Sequence, residues 1–343
     1  MTEINGRAVG VRDVAALAGV SRQTVSRVLN EHPDVAEPTR ERVLQAMGEL
    51  GYRMNNAARA LGTRRSRTLG VLASDALQFG PSRSIAAIEA SARAAGYWVS
   101  AAFADADDAA SVSSAVDHLV AQGVEGILVV APHARTLRVL ETVTAGVPIV
   151  TLHSAGHDAR GVGVDQVAGA RLAVGVLADA GHTRIAHLAG PADWLEAESR
   201  AEGFAAELAV RGLVPALTIA GDWTARAGYE AAPALRAAGA TAVFAANDQM
   251  ALGLLGALHA AGVAVPGEMS VVGFDDVPEA AFAWPRLTTV RQDFDELARR
   301  AVAAVIAGDA AASASAIVPE LVVPELVVPE LVVRDSVAAP PLR

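Results

Sequence analysis

Two kinds of hydrophobic spacing divide the chain. Over residues 11–50 apolar positions recur every three to four residues in short blocks, which predicts helices. One helix is expected over residues 12–18, a turn at Gly19-Val20, and a second helix over 21–30 with Ser21 as its N-cap. A third begins near Pro38, a residue suited to a first helical turn. Val43, Ala46, Met47 and Leu50 keep the helical spacing, and Gly51 ends it. Residues 54–67 (MNNAARALGTRRSR) are polar, basic and too short to bury a core, so they read as a linker, or hinge, that helix formation reaches only conditionally.

From Thr68 the pattern changes to short, fully apolar runs separated by alanine-rich amphipathic stretches. The runs fall at 69–73, 98–103, 126–131, 148–152, 161–164, 185–189, 217–220, 242–246 and 270–274. Apolar strands alternating with helices mark parallel sheets covered on both faces. This pattern is too long for one doubly wound sheet of ordinary size, and two lobes with a ligand cleft between them follow. The expected organisation is an all-α helix-turn-helix head (1–53), a hinge (54–67), an α/β two-lobed body (68–336) and a tail (337–343). Within the body, lobe 1 is expected at about 68–165 and 293–312, and lobe 2 at about 166–292 and 317–335.

Residues 319–333 are the pentapeptide PELVV written three times. Units of a solenoid are longer, and an odd period presents opposite faces in successive copies. One copy is expected to form a strand and the others a proline-broken excursion, so that deleting two copies leaves stability and ligand binding intact.

Composition narrows the chemistry. The 343 residues are 52% hydrophobic, ample for buried cores, and contain no cysteine, which excludes disulfides, thiol nucleophiles and Cys-ligated metals. The eight histidines show no ligand spacing, and no phosphate-cradling glycine loop or G-x-S-x-G elbow occurs. No enzyme activity, metal or cofactor is expected. The amino terminus carries charges throughout, and no run approaches membrane-spanning length, so a cytoplasmic protein without membrane contact is expected.

The net charge of −10 conceals an asymmetry. Residues 1–68 hold eleven arginines against seven acids, a surplus of four, whereas the remainder is in deficit by fourteen. A basic head on an acidic body points to nucleic acid at one end. In the head, Ala15, Gly19 and Val25 have the spacing of a helix-turn-helix: a small residue for close approach, a glycine for the left-handed turn, an apolar anchor on the second helix. Arg22, Gln23, Ser26 and Arg27 cluster near the start of that second helix, where base edges are read. Arginine pairs with guanine and glutamine with adenine through two hydrogen bonds each. Ser21, Thr24, Ser26 and Asn30 suit phosphate contacts.

The stretch VRDVAALAGVSRQTVSRVLN…TRERVLQAMGELGYRMNNAARAL, followed by HLAGP, GDW, AANDQMALG, SVVGFDD and PRLTTVRQDF, resembles the LacI/GalR family of bacterial transcription repressors over nearly the whole chain. The resemblance implies a hinge that folds on operator DNA, with Asn55, Ala58 and Leu61 at the minor groove and Leu61 wedged between base pairs. Met54 departs from the proline of some relatives. The resemblance also implies a carbohydrate effector hydrogen-bonded by Arg200, Asn247 and Asp275, with Trp223 and Phe294 as apolar faces. Trp194, expected on the surface, is a second stacking candidate; Ser74, Phe79 and Pro81 would touch the far end of the ligand. His153 stands where relatives carry an acidic ligand contact, which changes specificity. The implied protein is a sequence-specific, homodimeric repressor on a pseudo-palindromic operator, with a purine- or nucleoside-sensing regulator and a sugar-transport protein as alternatives. After Arg334 only DSVAAPPLR follows, without apolar heptads, so a dimer rather than a tetramer is expected.

Overall fold

The computed structural model describes residues 3–4, 7–29, 32–52, 65–131, 133–152, 161–314 and 326–341. Asn30, Asn55, Ala58, Leu61 and His153, singled out above, lie outside the described residues. The chain forms two compact units, residues 1–66 and 67–343.

In the first unit a two-stranded ribbon, β1 (Glu3–Ile4) and β2 (Arg7–Ala8), precedes α1 (Val11–Ala18), α2 (Arg22–Leu29) and α3 (Glu37–Glu49). Gly19 ends α1 at φ 64°, a left-handed turn that a Cβ would oppose. Ser21 caps α2, its Oγ accepting the Thr24 N–H at 3.0 Å. Val14, Val25 and Val43, one from each helix, are fully buried and meet in a single small core with Ala15, Ala18, Val28 and Ala46.

The second unit holds two parallel sheets. The first runs in the order β4-β3-β5-β6-β7, from β3 (Thr68–Ala73), β4 (Trp98–Phe103), β5 (Ile127–Val130), β6 (Ile149–Leu152) and β7 (Gly161–Val162). Helices α4 (Phe79–Ala94), α5 (Ala109–Ala121) and α6 (Ala134–Thr142) connect its strands. The second sheet runs β11-β10-β8-β9, from β8 (Ile185–Ala189), β9 (Thr218–Ala220), β10 (Ala242–Ala245) and β11 (Ser270–Val272). Its helices are α7 (Gln166–Asp179), α8 (Leu195–Val210), α9 (Ala225–Ala237) and α10 (Asp248–Ala260). Each sheet carries an apolar cluster on both faces, which is why its strands read as unbroken hydrophobic runs.

After the second sheet the chain crosses back. Leu297, Ala298, Ala301, Val302 and Val305 of α11 (Phe294–Ala314) fill the first lobe's core against Leu69, Val71 and Ile88. Two three-residue strands, β12 (Thr289–Arg291), absent from the sequence reading, and β13 (Glu330–Val332), pair antiparallel at the crossing. The third PELVV copy supplies β13, the one strand expected of the repeat. The second copy adds an isolated bridge from its buried Val327 to Val164. Deleting residues 319–323 leaves the same residues in every paired position, so the midpoint of denaturant unfolding is expected within about 0.5 kcal/mol of the parent. A larger loss would show that the first copy contributes to the fold.

The segment set apart above as a tail packs on the second lobe instead. His182 Nε2 donates to the Ala338 carbonyl at 2.9 Å, and Val337 joins the apolar cluster of that lobe. The preceding Ser336 is fully buried, and its Oγ donates to the Val271 carbonyl.

Candidate functional site

The head presents one polar face. Alternation around α2 buries Val25 and Val28 and leaves Arg22, Gln23, Ser26 and Arg27 exposed, with Ser21 at their edge. Thr24 is half-buried, and its Oγ1 lies 2.9 Å from Ser21 Oγ, so these two hydroxyls belong to the cap as well as to the surface. Among the described residues the arrangement is a rigid helix end carrying two guanidiniums and an amide, donors suited to a major groove.

In the body, a pocket opens between the two sheets. The structure brings Phe79, Pro81, Trp194, Arg200, Trp223, Asn247 and Asp275 together on its wall. Their placement follows from the fold: Asn247 caps α10 directly after β10, and Asp275 lies beyond β11, so both stand at carboxyl ends of strands. Two expected residues are not on this wall. Ser74 is buried at the end of β3, and its Oγ has no hydrogen-bond partner. Phe294 packs edge-on to Phe79 at 6.0 Å and faces the adjoining cleft instead.

Arg200 is the hub. It is buried on α8, with Nε donating to Gln166 Oε1 at 2.9 Å, Nη1 to the Ala246 carbonyl, and Nη2 3.6 Å from Asp275 Oδ1. Its guanidinium lies 3.9 Å over the Phe274 ring and 5.6 Å from that of Trp223. Burial pulls its pKa below the usual arginine value, against the opposing pull of Asp275 and Glu196. Gln292 Nε2 holds Asp275 Oδ1 at 2.6 Å, and the amide of Gln166 in turn donates to Gln292 at 2.8 Å. Asp248, under the pocket, ties α10 to the crossing through Thr289 Oγ1 (2.6 Å) and the Val277 N–H (2.9 Å). Burial, with Asp275 beside it, raises its pKa well above the usual carboxylate value.

The aromatic side of the pocket is Trp194 and Trp223, edge to face at 5.4 Å. Trp194 is 8% exposed, not on the surface as expected from the sequence, because it stands at the N-cap of α8 where the chain turns inward. Trp223 has φ +70° and Asp275 φ +112°, backbone states that cost about 1–3 kcal/mol each and concentrate at binding sites. The Trp223 carbonyl is held by Asn247 Nδ2 at 3.0 Å. Gly190 makes room for the Trp223 indole, which any Cβ at that position would strike.

Sequence reasoning missed Gln78, Gly80, Glu196 and Gln292, which also line the wall. Glu196 had a signal: it precedes Arg200 by four residues and so shares its helix face. Gln292 lies inside one of the recognised motifs but carries no pattern of its own.

The head matches the family model described as bacterial regulatory proteins, lacI family, over residues 11–55, and residues 174–337 match a periplasmic binding protein-like domain. The lactose operon repressor of Escherichia coli is 35% identical over 298 residues, covering 86% of this chain and 83% of the repressor. The chain belongs to the lacI family. The ribose operon repressor of E. coli is 32% identical over 304 residues, covering 86% of this chain and 92% of its own. Among solved structures, the lac repressor dimer bound to operator and an anti-inducer superposes with a TM-score of 0.83 at 32% identity, covering 97% of this chain and all of the other. A CelR–cellobiose complex superposes at 0.68 with 30% identity, covering 96% and 100%. A lacI-family chain is a transcriptional regulator rather than an enzyme, and the lactose and ribose relatives are repressors. Among the described residues no helix is long and apolar enough to cross a membrane, and no group of three acidic or histidine side chains could hold a metal.

Proposed function

We propose that this lacI-family regulator is a homodimeric repressor that reads a pseudo-palindromic operator through α2 and is controlled by a small carbohydrate in the body's pocket. The observation that carries the effector class is the pocket wall itself. Two indoles offer apolar faces, while Arg200, Asn247 and Asp275 offer fixed donors and acceptors, the mixture a polyol needs. The buried Trp223 Nε1 has no partner in the protein, so a ligand oxygen would complete it. Cellobiose in the CelR complex is consistent with this class. Phe282 (87% exposed) and Trp284 (89% exposed) leave large apolar surface on the single chain, which favours a two-fold partner.

The test selects preferred duplexes from a random pool with the purified chain, then repeats the titration with mono- and disaccharides. Arg22→Ala or Arg27→Ala is expected to cost about 1–3 kcal/mol at the selected site and to flatten preference at one base position. Equal losses on every duplex would assign both side chains to phosphate. A saturating sugar is expected to shift operator affinity roughly 5–150-fold; no shift with any sugar would remove the effector assignment.

A further inference from the structure

One short segment joins the lobes beside the pocket. Asp193, Trp194 and Leu195, at the start of α8 on the second lobe, each engage the first. Arg135, at the start of α6, places Nη1 2.5 Å from Asp193 Oδ2, with its Nη2 3.0 Å from Asp107 and its Nε donating to the Ala106 carbonyl at 2.9 Å. His133, buried just before α6, faces acceptors with both ring nitrogens: Asp75 Oδ2 at 2.8 Å and the Asp193 carbonyl at 3.3 Å. Its backbone forms an antiparallel bridge with Trp194, and its ring meets the indole edge-on at 5.0 Å. Leu195 is 3% exposed because it packs inside the first lobe's cluster with Leu72, Val116 and Leu119. In the other direction, Phe79 of the first lobe packs against both lobes' cores.

An ion pair, a backbone bridge and a buried leucine at one crossing are more than incidental contact between two bodies that hinge. Trp194 also belongs to the pocket wall, so a ligand that stacks on it pulls on the same segment. We propose that Asp193–Leu195 is a clasp that holds the two lobes together beside the pocket, so that widening the cleft requires its release. The clasp is a conformational control on the site assigned above, and it rests on that assignment only for the ligand's role.

Inter-lobe distance measures it directly. The chain has no cysteine, so Ser114→Cys on α5 and Glu230→Cys on α9, both exposed, accept a pair of spin labels without background. In the full-length, ligand-free protein a single short-distance population is expected. Adding Asp193→Ala with Leu195→Ala is expected to move the distribution to longer distances. Arg135→Gln, which removes the ion pair to Asp193 and keeps the backbone bridge and Leu195, is expected to move it the same way by less. A ligand-free parent that already populates long distances, or an Arg135→Gln protein with the parent's distribution, overturns the clasp. Because no sugar enters these measurements, a protein that ignores every sugar refutes the effector assignment and leaves this result standing by itself.

Discussion

Arg200→Ala is expected to destabilise the body by about 3–5 kcal/mol and to abolish the response of operator binding to ligand. The sequence alone argues for the second effect only, since it treats Arg200 as a ligand contact. The structure adds the first. The guanidinium is 5% exposed and is the cation facing two buried carboxylates, Asp275 and Glu196. Removing it takes a facing positive charge from those carboxylates and leaves the Ala246 carbonyl and Gln166 Oε1 without this donor. Lysine does not restore the site, because one ammonium cannot reproduce a planar fork that serves three acceptors and lies on the Phe274 ring. Denaturant unfolding reads the stability and a duplex titration with and without sugar reads the response. Near-parental values of both would show that Arg200 organises nothing.

The second large effect is acid sensitivity at His187. This side chain is fully buried in β8, stacked between Phe204 at 4.7 Å and Phe244 at 4.9 Å, with Nδ1 donating to the Phe244 carbonyl at 3.0 Å. Burial is the main cause that pulls its pKa from 6.5 down to about 4, and the Arg200 charge adds to it. The unfolded chain therefore takes up this proton before the folded one does. Stability from this group is complete above pH 6.5, declines as pH falls, and is lost to the extent of about 3 kcal/mol below pH 4. Asp248, whose carboxyl is raised, acts with the opposite sign, so a single pH profile mixes the two. The difference between parent and His187→Gln isolates the histidine: the variant should lose less stability between pH 6.5 and 4 than the parent. Parallel profiles would mean that His187 takes up its proton in the folded chain at the same pH as in the unfolded one.

How much of this could be read beforehand depended on how each feature is encoded. The parallel strands carry their own signal, because a strand covered on both faces must be apolar along its length; 185–189 coincides with the buried β8, while 98–103 coincides with β4, an edge strand that is apolar without such cover. Strand β12 gave no such signal, and β13 was legible only as one unspecified copy of the pentapeptide. Each has three residues, each carries a charged one, and the partners are about forty residues apart, so only tertiary pairing creates them. The pocket residues that arrive through motifs, Arg200, Asn247 and Asp275, were legible, whereas Glu196 and Gln292 became functional candidates only once α8 and the crossing brought them to one wall. The burial of Trp194 was hidden for the same reason: it depends on His133 and Trp223, roughly sixty residues before it and thirty after it.

The return of α11 to the first lobe has a consequence during synthesis. The helices of the head lie within the first fifty residues and share a core of their own, so that unit can form as soon as it leaves the ribosome. The lobe that follows is not. Its sheet emerges with one apolar face waiting for Leu297, Ala301 and Val305, and Val327 joins later still. A nascent chain therefore carries this uncovered surface through translation of the entire second lobe, and a product truncated between residues 162 and 294 is expected to aggregate rather than to accumulate as a half-sized sensor.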